Sequence, residues 1–383
     1  MYLAYKYRLY PTRAQAQFLD GQRREASRLY NAAKQERDEA WKRCGKGVNY
    51  YDQANQLREI RAAGNLGLAN FSCCQEVLRR VDRTYRAFYA RVRRGEKAGF
   101  PRYRSARRYN SLTFPSYGDG CHLRNAKLYL QGAGNVKVKV HRPLEGLIKT
   151  VTVRRDAGRW YACFGCEVEA HPLPASTRQV GVDLGLESFA VLSDGTEVDN
   201  PRQFSQAQAR LRRAQRKVAR RQKGSCRRRK AVGELQRVHA HVRNQRADFH
   251  HRLAYWLVSL YGLIAVEDLN IKGLAGGMLA KSVHDAAWAQ FLAFLTYKAA
   301  SAGRELVKVD PRGTSQTCWC GACVPKTLEE RWHTCPACGL SAPRDLVSAQ
   351  LLLLRARIGP SRLNVEDAVS CVPREAVPFQ ATE

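Results

Sequence analysis

An α+β protein of several domains is expected from three patterns along the chain. Apolar residues recur at helical spacing between residues 12 and about 94, and from 99 to about 169 they alternate as strands do. Beyond these stretches, three carboxylates stand where elements end. Asp183 lies in Val180-Gly181-Val182-Asp183-Leu184-Gly185, Glu267 closes the apolar run Leu263-Ile264-Ala265-Val266, and Asp345 opens a helical stretch running to Leu351. The first two finish short runs that read as buried strands, and the third has the charge favoured in a first helical turn. A single acid at a strand end usually meets water or a nearby Lys or Arg. Three from separate elements, gathered at one sheet edge, make a pocket for hard divalent cations.

Taken in order, Lys6 to Tyr10 reads as a short strand ended by Pro11, after which Thr12 and Gln15 fit a T-x-x-Q capping box. Phe18, Leu19, Ala26, Leu29, Tyr30 and Ala33 follow at helical spacing, and Cys74, Val77, Leu78, Val81, Tyr85, Phe88, Tyr89 and Val92 repeat it, giving an antiparallel helical lobe. This spacing assigns the aromatics of the second set mainly to packing. Leu128 to Leu130, Val136 to Val140 and Thr150 to Val153 alternate between Gly and Pro breaks, as in a β-barrel or sandwich that the first strand would complete. His171 to Ser176 reads as a linker. The Asp183 strand, a strand Phe189 to Leu192 and the turn Asp194-Gly195 are expected to make a hairpin.

Residues 205 to 245 carry 14 Lys or Arg and a single acid, Glu234, on good helix formers with a break at Lys223-Gly224-Ser225. That is a basic helical hairpin. A solvated helix face normally mixes both signs to gain i, i+4 pairs, so an almost pure sign points to phosphate as counter-charge, with Arg227, Arg228, Arg229 and Lys230 at its break. Arg102, Tyr103 and Arg104 lie in irregular sequence, where base stacking and phosphate contacts compete with packing.

Composition agrees. The 383 residues are 44% hydrophobic, which excludes a disordered chain, and 65 Lys plus Arg oppose 34 acids for a formal net charge of +31. A surface this basic calls for a polyanion, nucleic acid by default. There is no apolar run of about 18 residues to span a bilayer and no secretory signal at the start, so a cytoplasmic protein with no membrane partner is expected. Thirteen cysteines, clustered late, suit a reducing compartment with one metal site rather than a disulfide framework. Cys335-Pro336-Ala337-Cys338-Gly339 is a C-x2-C knuckle, and two of Cys318, Cys320 and Cys323 would complete a tetrahedral zinc site. Cys163-x2-Cys166 and Cys73-Cys74 lack partner pairs and read as packing.

Together these motifs resemble the TnpB family, the transposon-encoded RNA-guided DNA endonucleases, which are similar in turn to type V CRISPR effectors. The resemblance is carried by Gly181 to Gly185, Val266-Glu267-Asp268-Leu269, Thr314-Ser315-Gln316-x-Cys318, the Cys335 to Gly339 knuckle and Arg344-Asp345. It extends to Tyr7-Arg8-Leu9-Tyr10-Pro11-Thr12 and Gly99-Phe100-Pro101-Arg102-Tyr103. The chain departs from the family where the first knuckle is one residue short of C-x2-C-G, and where D-R-D becomes Pro343-Arg344-Asp345. The resemblance implies a wedge β-barrel (1–11 and 95–172) with an inserted helical recognition lobe (12–94). It then implies an RNase H-like, RuvC-type nuclease domain (177–310 and 344–360) with an inserted zinc ribbon (311–343), and a flexible tail (361–383). It further implies catalysis by two Mg²⁺ on Asp183, Glu267 and Asp345, one structural Zn²⁺, a guide RNA from the transposon end and double-stranded target DNA cut beside a short motif. A monomeric ribonucleoprotein is expected. A non-cleaving regulator would have no reason to keep all three acids, and a guide-independent RuvC-type nuclease would not need the basic first 170 residues.

Overall fold

The computed structural model describes residues 1–170, 172–327 and 329–358, so the expected tail 361–383 lies outside the described residues. The chain divides into two compact units, Met1–Glu169 and Ala170–Glu383.

The first unit combines β1 (Tyr2–Tyr10), helices α1 (Arg13–Cys44), α2 (Tyr50–Ala62) and α3 (Phe71–Arg93), and strands β2 (Ser111–Phe114), β3 (Cys121–Arg124), β4 (Lys127–Leu130), β5 (Gly134–Lys139), β6 (Leu147–Asp156) and β7 (Arg159–Glu167). The strands form one antiparallel sheet in the order β2-β6-β7-β1-β5-β4-β3, a half-barrel with β2 and β3 at its two ends where a barrel or sandwich was expected. The first strand does sit inside it, paired with β5 and β7. Alternation drives Tyr5, Tyr7 and Leu9 inward against Val136, Val138, Val151, Phe164 and Cys166, which gives Cys166 the packing role expected of it. The capping box is present in full: the Thr12 hydroxyl accepts from the Gln15 amide and the Gln15 side chain accepts from the Thr12 amide. On α3 the apolar stripe buries Cys74, Val77, Leu78, Val81 and Tyr85 against Ala26, Tyr30 and Leu57, then runs out, leaving Tyr89 and Val92 exposed. The packing expected of Tyr89 is met only in part: its ring meets those of Tyr85 and Phe88, at 6.3 and 5.3 Å between centroids, but half of its surface stays exposed.

The second unit contains β8 (Gln179–Leu184), β9 (Ser188–Leu192), β10 (Glu197–Asp199), α4 (Gln203–Ala219), α5 (Cys226–Leu260), β11 (Leu263–Glu267), α6 (Ile271–Leu274), α7 (Ala280–Ala286), α8 (Trp288–Ala302), β12 (Glu305–Val309), β13 (Trp332–Thr334), β14 (Ser341–Pro343) and α9 (Arg344–Ile358). Five strands form a mixed sheet, β10-β9-β8-β11-β12, with β8, β11 and β12 parallel. The hairpin differs in detail from expectation. Gly185 to Glu187 connects β8 to β9, and the Asp194-Gly195 turn leads on to a third strand, β10, too short to show a period in the sequence. Val180, Val182, Ile264 and Val266 pack with Phe249, Leu253 and Leu257 of α5 and Phe291 and Leu295 of α8. Residues of the opposite parity meet α9, where Ala265 and Val309 pack on Leu352.

Gly181 fixes how near α9 lies. A Cβ at this position would fall 1.9 Å from the Ala349 carbonyl oxygen. Glycine is required here for close approach of two backbones, with its own N–H donated to the Ser193 hydroxyl at 3.0 Å.

Candidate active site and metal centre

Strand alternation places Asp183 two residues beyond Gly181 and Glu267 two beyond Ala265, both on the face that α9 covers. The parallel register pairs Val182 with Val266, which sets the next residues, Asp183 and Glu267, at the same level on neighbouring strands. Asp345 enters from the first turn of α9. The three acids therefore converge at the C-terminal ends of parallel strands, the edge where sheets of this kind place their ligands.

The electrostatics report that convergence. Burial pushes the Asp183 carboxyl well above the usual carboxylate range, and the charges of Glu267 and Asp345 push it further, with Arg344 opposing. Burial also raises Glu267, against a hydrogen bond from Thr314 and the charge of Arg355. Like charges held together this way are stabilised by a cation, and an all-oxygen donor set suits a hard one such as Mg²⁺.

Neighbouring side chains hold the acids in place. The Thr314 hydroxyl donates to Glu267 Oε1 at 2.7 Å, and Arg355 donates from Nη1 to the carbonyls of Asp310 (3.3 Å) and Arg312 (2.9 Å). Arg344 Nε donates to Asp345 Oδ1 at 3.1 Å. Arg331 bridges Asp345 Oδ2 at 3.7 Å and Glu187 Oε2 at 3.2 Å. Sequence reasoning missed these partners. Thr314 stood inside a recognised motif without a role, and the reach of Arg331 to Glu187 depends on how distant segments fold together.

The second constellation is sulfur. The Sγ atoms of Cys318, Cys320, Cys335 and Cys338 all lie within 4.8 Å of one another, with Cys318 to Cys338 at 3.6 Å and Cys320 to Cys335 at 3.7 Å. A tetrahedron with metal–sulfur bonds of about 2.3 Å has edges of roughly 3.8 Å, so four thiolates so placed fit Zn²⁺. Burial works against ionisation of Cys335, yet the amides of Cys338 and Ala337 bring its thiol down to about 7. Of the three upstream candidates, Cys318 and Cys320 join this group. Cys323 does not: it is exposed, its backbone bridged to Thr317.

On the basic hairpin, Arg227, Arg229 and Lys230 are exposed, whereas Arg228 closes the turn by donating to the carbonyls of Val218 (3.1 Å) and Arg221 (2.8 Å). Glu234 pairs with Lys217 at 2.6 Å, joining α4 to α5. In the first unit Arg102 and Tyr103 are exposed, and the Arg104 guanidinium lies over the Tyr30 ring, 4.9 Å from its centroid.

Fold and site together define a class: a basic, mixed α+β protein suited to a polyanion, with three carboxylates brought to one sheet edge and a four-thiol knuckle of the kind that takes zinc. Comparison with known proteins narrows it. The OrfB_IS605 family model, described as "Probable transposase", matches residues 151–277, the "Cas12f1-like, TNB domain" model matches 288–352, and a "Helix-turn-helix domain" model of the same OrfB_IS605 series matches 1–46. A protein of Streptomyces pristinaespiralis named "Putative RNA-guided DNA endonuclease" is 36% identical over 365 residues, 91% of this chain and 88% of that one. A similarly named protein of Escherichia coli K12, InsQ, is 27% identical over 73% of each chain. Among solved structures, the "mini-RNA-guided endonuclease CRISPR-Cas_phi3" shares the fold, with a TM-score of 0.50 at 9% identity over 98% of this chain and 94% of that one. The chain belongs to the OrfB/IS605 (TnpB) family.

Proposed function

We propose that this protein is an RNA-guided DNA endonuclease that hydrolyses phosphodiester bonds at Asp183, Glu267 and Asp345. The observation that carries this reading is the arrival of three carboxylates from β8, β11 and α9 at one sheet edge, close enough for two of them to act on the ionisation of the third. In this reading the five-stranded sheet with α5, α8 and α9 is an RNase H-like, RuvC-type nuclease domain (177–310 and 344–360), and 311–343 is its zinc ribbon. The half-barrel (1–11 and 95–172) is the wedge domain and 12–94 the recognition lobe.

The three acids would hold two Mg²⁺, which when bound acidify an attacking water and neutralise the leaving 3′ oxygen of the phosphodiester. The chain's own residues prepare that site. Thr314 commits Glu267 Oε1 to a hydrogen bond and so fixes its rotamer. Arg344 orients Asp345 from the adjacent position on α9. Cys318, Cys320, Cys335 and Cys338 would hold one Zn²⁺ that fastens the ribbon. Arg227, Arg229 and Lys230 would meet phosphates, while base pairing with the guide supplies sequence specificity. The working form is a monomeric ribonucleoprotein in the cytoplasm, carrying an RNA from its own element's end and cutting double-stranded DNA beside a short motif.

The test is to purify the chain, sequence the nucleic acid that comes with it, and assay that particle on plasmid DNA with Mg²⁺ or with chelator. A discrete RNA and Mg²⁺-dependent cutting are expected. Cutting indifferent to removal of the RNA would sink the guided reading.

A further inference from the structure

The segment following α3 carries a feature that the cleft and the ribbon do not explain. Residues 99–105 run without regular structure along α1 and are fastened to it: the Arg104 carbonyl accepts from Ser27 Oγ (2.7 Å) and Asn31 Nδ2 (3.0 Å), and its N–H donates to Asn31 Oδ1 (2.8 Å). A backbone held this firmly has few reasons to leave large rings in water. Yet Phe100 is 54% and Tyr103 55% exposed, with Tyr89 of α3 at 52%.

What lies beneath these rings is a charge. Lys34 of α1 is only 2% exposed, and its ammonium sits 5.1 Å from the Phe100 centroid and 4.2 Å from that of Tyr103. The cation attracts the negative π faces and so sets how both rings stand. Lys34 is ion-paired to Asp38, whose other carboxylate oxygen accepts from the Tyr85 hydroxyl at 2.5 Å. Phe100 meets Tyr85 and Phe88 edge-on, at 6.2 and 5.3 Å between centroids. The rings are thus pre-oriented from below by packing and a buried ion pair, and open above.

Charge decides the occupant. Arg102 stands between the two rings in sequence and Arg107 and Arg108 follow them; all three are exposed, and none has an ion pair among the described residues. Fixed aromatic faces bordered by unpaired guanidiniums match a chain of bases and phosphates. An intact duplex offers no free base faces along its length, so the match is to bases that are unpaired or terminal.

We infer that Phe100 and Tyr103, oriented by Lys34, form a stacking platform for unpaired bases of a single-stranded nucleic-acid segment. This rests on the proposed function only in taking nucleic acid as the partner, and it is independent of the carboxylate cleft.

The experiment uses the full chain and short single-stranded oligonucleotides carrying 2-aminopurine, one RNA and one DNA of the same sequence. Binding should quench the fluorescent base by stacking, and the arm showing the stronger quench identifies the strand. The double substitution Phe100→Leu with Tyr103→Leu keeps apolar bulk over Lys34 but removes the π faces. It should abolish the quench and weaken binding roughly ten- to hundredfold, with the folded state retained by circular dichroism at the assay temperature, and Tyr103→Trp alone should keep both. If the wild-type chain binds neither oligonucleotide, the nucleic-acid reading itself fails. Binding and quenching that survive the double substitution would overturn the platform while leaving that reading intact. A dimer in sedimentation that the double substitution dissolves would also overturn it, by assigning these rings to a second copy.

Discussion

Burial and two neighbouring carboxylates act on Asp183 in the same direction, and this has a consequence that cleavage assays alone would miss. A carboxyl whose folded pKa is raised binds its proton more tightly in the native state than in the unfolded chain. Its contribution to stability is therefore lost as pH rises from the ordinary carboxylate value of about 3.9 towards the folded value. Asp183→Asn removes that charge with little change in shape. It should abolish cutting and, in chelator at neutral pH, raise the Tm, by about 2–4 °C for each kcal/mol of relieved repulsion. Melting curves of parent and variant, both in chelator, check this: a variant that melts below the parent would mean that Asp183 is not repelled by its neighbours. The acids were legible in the sequence because each stands at one end of an element, Asp183 and Glu267 where strands finish and Asp345 where a helix begins. Thr314 was not, since its hydrogen bond to Glu267 spans 47 positions and follows from packing rather than local pattern.

Elements decide whether those residues meet. The site needs α9 against β8, and the absence of a side chain at Gly181 permits that approach. Gly181→Ala would drive a methyl group into the Ala349 carbonyl, so a loss of about 1–3 kcal/mol is expected from overpacking, with lost activity as Asp345 is displaced. Denaturant midpoints measure the first and plasmid cutting the second; a variant as stable and active as the parent would contradict the packing described. The ribbon makes a sharper demand. Cys318→Ser, Cys320→Ser, Cys335→Ser and Cys338→Ser should each lower zinc below about one ion per chain, while Cys323→Ser keeps it. Metal analysis of the purified variants decides, and zinc lost with Cys323 but kept without Cys320 would reverse the assignment. The later knuckle was readable from its spacing. The earlier one was not, because a one-residue gap between Cys318 and Cys320 suits a tetrahedron only through the turn at Gly321, whose N–H donates back to the Cys318 carbonyl at 3.0 Å. Strand β12 went unread beside the stronger signals around it, and β10 is only three residues long.

For the molecule as a whole, charge and order of motifs carried more than any single element. The excess of 65 basic over 34 acidic residues named a polyanion before any fold was known, and the relative that is 36% identical spans 91% of the chain, so both units belong to one family pattern. The half-barrel was readable as alternation, but not its strand order, because antiparallel pairing between distant strands leaves no local trace. The central claim is that guided cleavage is performed by Asp183, Glu267 and Asp345. It is tested most directly by rewriting the guide portion of the bound RNA to match a second plasmid site, then mapping cuts made by the parent chain and by Asp183→Ala, Glu267→Ala and Asp345→Ala. The cut is expected to move to the new site with the parent, and to vanish with each variant while binding of RNA and target persists. A cut that stays where it was, or continues in any of the three variants, would contradict the claim.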